Sequence, residues 1–193
     1  MSIDRTLWSH TVDTTVLWGL SAAELLEDVC ALAPGRLVVT PTVIEELTRN
    51  RTAAPHLEAV LGTIAAGRMV PTTLTKAEMK LVFDIHTSLW RRKATDTRDL
   101  GEAECIAVAA TRKWGALLDD KGRVLMQMRY GTLPCSGTPA VLLDLVGAGR
   151  LTMGQAWDAL TTMVTKGGFH HEFHNKTKAE WMNCRKWLLP ARL

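Results

Sequence analysis

Val12-Asp13-Thr14-Thr15-Val16-Leu17 is a junction: an apolar run stops at an acid, two hydroxyl residues follow, and apolar residues resume. A short apolar run of this kind reads as a buried strand, and the acid at its end is placed to cap a following helix. The same order recurs further on. Arg36 to Val39 is a second short run, set off by Pro34-Gly35, and Thr40-Pro41 after it reads as an N-cap with proline at the first helical position. Ala116 to Asp119 is a further strand, following a helical segment that Gly115 terminates. Short apolar runs alternating with longer helical ones predict an α/β fold with a largely parallel central sheet.

The segments between the strands carry helix signals. Ser21-Ala22-Ala23-Glu24 has the capping-box form, and Leu25, Leu26, Val29 and Leu32 then recur at helical spacing. From about His56 to Arg92 two helices flank a short extended piece, Met69 to Thr72, and Thr75-Lys76-Ala77-Glu78 supplies a second capping box. Asp99 caps the helix that runs to Trp114, with Glu102 three residues on as its capping-box partner. Thr138-Pro139 starts another helix, ended around Gly147 to Gly149; Thr152-Met153-Gly154-Gln155 starts the next, and one more runs from Thr177 to about Leu188.

The chain has 193 residues, 47% of them apolar, enough for one substantial core. No run approaches the roughly 18 apolar residues needed to cross a bilayer, and Met1-Ser2-Ile3-Asp4-Arg5 does not open a leader segment, so a cytoplasmic protein without membrane association is expected. Cys30, Cys105, Cys135 and Cys184 are widely spaced and include no Cys-x-x-Cys, which argues against a zinc knuckle or a disulfide framework. The net charge of +3 is uneven: from Lys166 onward six basic residues stand against Glu172 and Glu180. That leaves a slightly acidic body and a basic tail, which reads either as a phosphate-binding extension or as a solvated helix face.

Four acids in four separate stretches, Asp13, Glu46, Glu104 and Asp120, stand at strand ends or in the early turns of helices. In an open parallel sheet ligands bind outside the carboxyl ends of the strands, so these positions can converge. Carboxylates about 4 Å apart repel by something like 4 kcal/mol per pair at an effective dielectric near 20, and a cation relieves that. A site of oxygen ligands without His or Cys favours Mg²⁺ or Mn²⁺ over zinc. Neighbouring acids compete for two of the places. Val43, Ile44 and Leu47 define a buried stripe that puts Glu46 on its flank and Glu45 toward solvent, so Glu46 is preferred. Asp120 begins the turn into Lys121-Gly122-Arg123 and is preferred to Asp119, which belongs to the strand. His170, His171 and His174 lack a fourth ligand at zinc spacing. Trp181 and Trp187, among basic residues, read either as base-stacking side chains or as the core of an amphipathic helix.

Taken together, these motifs resemble the PIN-domain nucleases over roughly residues 8 to 150. Asp-Thr-Thr-Val-Leu is similar to the opening motif of that family, which implies Asp13 as metal ligand and Thr15 as its supporting hydroxyl. Val-Thr-Pro-Thr-Val-Ile-Glu-Glu-Leu resembles the second motif and implies Glu46. Leu-Gly-Glu-Ala-Glu-Cys-Ile-Ala-Val-Ala is similar to a toxin-like branch with a Gly-Glu-x-Glu third motif, implying Glu104 as ligand and Glu102 in support. Leu-Leu-Asp-Asp-Lys-Gly-Arg resembles the fourth, with Leu118 where other members carry a hydroxyl.

The resemblance implies a three-layer α/β/α domain over residues 1–150 with a basic helical extension over 151–193. It also implies a Mg²⁺- or Mn²⁺-dependent endoribonuclease, the toxin of a toxin–antitoxin pair, homodimeric and inhibited by an antitoxin protein. Lys121 and Arg123 would contact the RNA phosphates. The alternatives are a DNA nuclease, a defence-associated nuclease, or a non-catalytic nucleic-acid-binding module that keeps the fold. A retained set of mutually repelling acids argues against the last.

Overall fold

The computed structural model describes residues 9–89, 96, 98–119, 123, 126, 129–131, 133–167, 175–184, 191 and 193. Its centre is a five-stranded, all-parallel sheet made of β1 (His10–Val12), β2 (Leu37–Val39), β3 (Val70–Pro71), β4 (Gly115–Leu117) and β5 (Cys135–Ser136). The order across the sheet is β3-β2-β1-β4-β5, with His10 opposite both Leu37 and Gly115. β1, β2 and β4 are buried along their whole length, as strands covered on both faces must be.

The chain winds outward from β1 in one direction through β2 and β3, then returns to β1's other side with β4 and β5. The reversal between β1 and β4 is the topological switch point, where adjoining connections leave in opposite directions and open a crevice at the carboxyl edge.

The helices described from end to end are α1 (Thr14–Ala22), α2 (Leu26–Leu32), α3 (Pro41–Asn50), α4 (Leu57–Ala65), α5 (Lys76–Phe83), α6 (Leu100–Arg112), α7 (Thr138–Gly147), α8 (Met153–Gly167) and α9 (Lys178–Met182). A π-helical turn, Asp84–Leu89, continues α5. The helices complete a three-layer α/β/α arrangement. α1 packs against α4 and α8, α5 packs along α6, and α6 lies against β1 and β4. α6 is buried from Gly101 to Ala109, so its small residues Ala103, Ala107 and Ala109 permit a close approach to the sheet.

Three local expectations are corrected. Ser21 does not start a helix, because α1 runs through Ala22; the Ser21 hydroxyl donates back to the Trp18 carbonyl and the chain turns at left-handed Glu24. Asp99 precedes α6 but makes no side-chain capping bond, because its own backbone is left-handed at φ 64°. Glu102 is buried. Gly115 lies inside β4, and α6 ends at left-handed Lys113; a Cβ on Gly115 would come within 2.3 Å of the His10 ring, so packing explains the glycine.

At the C-terminal end, Thr177 and Glu180 form a full capping box for α9. Trp181 is fully buried and its Nε1 donates to the Met153 carbonyl at 2.9 Å, which removes it as a base-stacking side chain. Trp187 and the histidines at 170, 171 and 174 lie outside the described residues. Among the described residues no helix is long and apolar enough to cross a membrane.

Candidate active site

Asp13 follows β1 directly, and its backbone N–H donates to the Leu117 carbonyl of β4 at 3.1 Å. The residue is therefore pinned at the switch point. It also caps α1, with Oδ2 accepting from the Thr15 hydroxyl at 2.6 Å and, more weakly, from the Thr15 N–H at 3.4 Å. Capping and site membership are compatible, because the helix N-terminus supplies donors that stabilise a carboxylate without taking all its lone pairs.

Thr14, one residue before Thr15, donates its hydroxyl to Glu46 Oε2 on α3. Glu45 faces the other way: its side chain is 68% exposed and pairs with Arg49 one turn on, at 2.7 Å. Glu46 meets the start of α6, where a Cβ on Gly101 would stand 3.2 Å from Glu46 Oε2. One turn further along α6, Glu104 is buried and reaches the first turn of α3. Its Oε2 accepts from the Thr42 N–H at 2.9 Å and its Oε1 from the Thr42 hydroxyl at 2.7 Å.

Asp119, two residues beyond β4, accepts from the Thr138 N–H at 2.6 Å and from the Thr138 hydroxyl, at the start of α7. The fit is tight, since a Cβ on Gly137 would lie 2.5 Å from Asp119 Oδ1. Asp120 and Lys121 lie outside the described residues. Arg123 is half-buried and its charge acts on Asp119.

The acids feel one another. Burial raises the Glu46 carboxyl above its ordinary value; the Thr14 hydrogen bond opposes this, and the charges of Asp13 and Glu104 add to it. Burial pushes Asp119 up to about 7, with Asp13 adding to the rise and Thr138 and Arg123 opposing it. Beneath them Cys105 is fully buried, and its thiol is raised by burial first and then by Asp13, Glu104 and Glu102. The charge of Glu102 also acts on Cys135.

Asp13, Glu46, Glu104 and Asp119, with Glu102 nearby, therefore gather at the carboxyl edge where β1 and β4 diverge. Among the described residues no three His, Cys, Asp or Glu side chains are arranged as a ready metal-ligand group. The donor set is nonetheless all oxygen, which suits a hard divalent cation.

Sequence reasoning missed Thr14, Thr42 and Thr138 as partners of the acids, and Gly101 and Gly137 as the bare positions that admit them. The signal available was a threonine beside a proline in the opening of each of two helices, Pro41-Thr42 and Thr138-Pro139. What that threonine meets is set by tertiary structure.

A family model described as a PIN domain matches residues 10–179, from β1 into the first turn of α9. The chain belongs to the PIN-domain family. No curated protein matches it. PIN domains are a nuclease fold and generally use divalent metal ions. The crevice at this PIN domain's switch point is thus its candidate active site.

Proposed function

We propose that this PIN domain is a Mg²⁺- or Mn²⁺-dependent endoribonuclease of the VapC-like branch, acting as the toxin of a toxin–antitoxin pair. The observation that carries the reading is the gathering of carboxylates from separate stretches of chain at the β1/β4 switch point, each seated on a threonine. Burying several acids together opposes folding unless a cation, protons or hydrogen-bond donors offset their charge. In this reading Asp13, Glu46, Glu104 and an acid after β4, Asp119 or Asp120, hold the cation, with Thr15 and Glu102 in support.

A bound divalent ion would activate a water and neutralise charge on the scissile phosphate. The chain's own part is to fix the acids, exclude bulk water beside them with buried Cys105, and hold the substrate. Arg123 and Lys121 would hold phosphate oxygens, with the basic residues after Lys166 adding sequence-independent attraction.

Residues 1–150 would form the nuclease domain and residues 151–193 an extension packed on it. The protein would act in the cytoplasm as a homodimer, held inactive by an antitoxin protein. Four free cysteines, three of them buried, accord with a reducing compartment.

The test is incubation of end-labelled RNA and DNA with the full chain in Mn²⁺, Mg²⁺ or EDTA, beside Asp13→Asn. Internal cleavage of RNA only with metal, lost in Asp13→Asn, is the expected result. Cleavage of DNA alone would move the reading to a DNA nuclease, and no cleavage of either would sink it.

A further inference from the structure

Two of the acids are held by one repeated device on unrelated helices. Thr42 in the first turn of α3 gives its N–H to one oxygen of Glu104 and its hydroxyl to the other, at 2.9 and 2.7 Å. Thr138 at the start of α7 treats Asp119 the same way, its N–H reaching Oδ1 at 2.6 Å and its hydroxyl reaching Oδ2. The pairs are 62 and 19 residues apart in sequence, so chain proximity explains neither.

Both threonines stand next to a proline, Pro41 or Pro139, in a first turn whose N–H groups have no partner within the helix. The proline has no N–H, so the threonine presents the donor. Neither α3 nor α7 has a side-chain bond capping its own N-terminus, whereas α5 and α9 each carry a complete capping box. Donors and hydroxyls that elsewhere in this molecule stabilise a helix end are here directed at site carboxylates.

The consequence is orientational. A carboxylate with one donor can turn about its terminal bond, whereas one gripped at both oxygens has its plane fixed, and the remaining lone pairs then point in one direction. Glu46 and Asp13 also receive a threonine hydroxyl, from Thr14 and Thr15 respectively.

We propose that Thr42 and Thr138 are positioning residues that fix the planes of Glu104 and Asp119 and so set the affinity of the site for a divalent cation. This deepens the reading above and rests on it. Neither threonine touches the reacting atoms.

The test uses the full chain with Thr42→Val, Thr42→Ser, Thr138→Val and Thr138→Ser. Mn²⁺ binding is measured by calorimetry without substrate, and the Mn²⁺ concentration giving half-maximal RNA cleavage is measured alongside. Valine keeps the shape and removes the hydroxyl, so each valine variant should bind Mn²⁺ about tenfold to a hundredfold more weakly, as is typical when a group orienting a metal ligand is lost. Each serine variant should return to near wild-type affinity.

Valine variants that bind as tightly as wild type, or serine variants as weak as the valine ones, overturn the proposal while leaving the nuclease reading intact. A wild-type protein that neither binds Mn²⁺ nor cleaves overturns both. Thr42 is only half-buried, so its two variants decide the matter if Thr138→Val does not fold.

Discussion

The Asp119 carboxyl is enclosed by Gly137 and Thr138, and its position near 7 follows from that enclosure first and from the charge of Asp13 second. Between about pH 4 and 7 the folded protein keeps a proton on this group that the unfolded chain has lost, so its contribution to stability falls as pH rises through that window. The metal-free wild type should lose melting temperature between pH 5 and 8, and Asp119→Asn should lose less. Equal slopes in the two proteins would show that Asp119 does not titrate there. Glu46 keeps part of the slope in either case, since its carboxyl is raised too. The choice between Glu45 and Glu46 was legible in sequence, because a helix has a period and Val43, Ile44 and Leu47 mark its buried face. The choice between Asp119 and Asp120 falls on a turn after a strand, which has no period to read, and Asp120 lies outside the described residues. The threonine partners were also hidden, since contacts such as Thr14 to Glu46 join elements distant in the chain.

Among the elements, α5 and α6 show how a local signal and a distant one combine. Glu78 closes the capping box of α5 with Thr75, as its spacing predicted, and it also receives Arg112 from the end of α6 at 2.7 and 3.0 Å. Arg112 further donates to the Thr72 hydroxyl and the Thr73 carbonyl and lies 5.0 Å from the centre of the Trp114 ring. The Arg112 bonds hold the Glu78 carboxyl down near 2, against the pull of burial. An acid depressed in the folded state contributes stability above its unfolded value near 4.5 and loses it as pH falls toward 2. Glu78→Gln should therefore cost roughly 3 kcal/mol at neutral pH, the usual scale for breaking a buried pair, and less as the pH approaches 2. Urea denaturation at pH 7 and pH 3 checks it, and a constant difference between the two proteins would contradict the assignment. The capping-box pattern at Thr75 became a box, while those at Ser21 and Asp99 did not. The extension of α1 absorbed the first, and the left-handed backbone of Asp99 turned the second away.

At the scale of the molecule, the alternation of strands and helices announced a parallel sheet, but the strand order that creates the switch point came only with the structure. β5 escaped sequence reading because it is two residues, Cys135–Ser136, without an apolar run. Trp181 was left between stacking and core, and its burial against α8 makes it core. The account holds that acids brought together by this topology form one hydrolytic centre, and α3 offers an internal control, because Glu45 and Glu46 are neighbours on opposite faces. The most direct measurement is the Mn²⁺-dependent cleavage rate of a labelled RNA by wild type, Glu45→Gln and Glu46→Gln. Glu45→Gln should stay within about twofold of wild type, since an exposed i,i+4 pair contributes little. Glu46→Gln should fall by about a hundredfold or more, the scale seen when one group stabilising transition-state charge is removed. Full activity in Glu46→Gln, or an equal loss in both variants, would contradict the account.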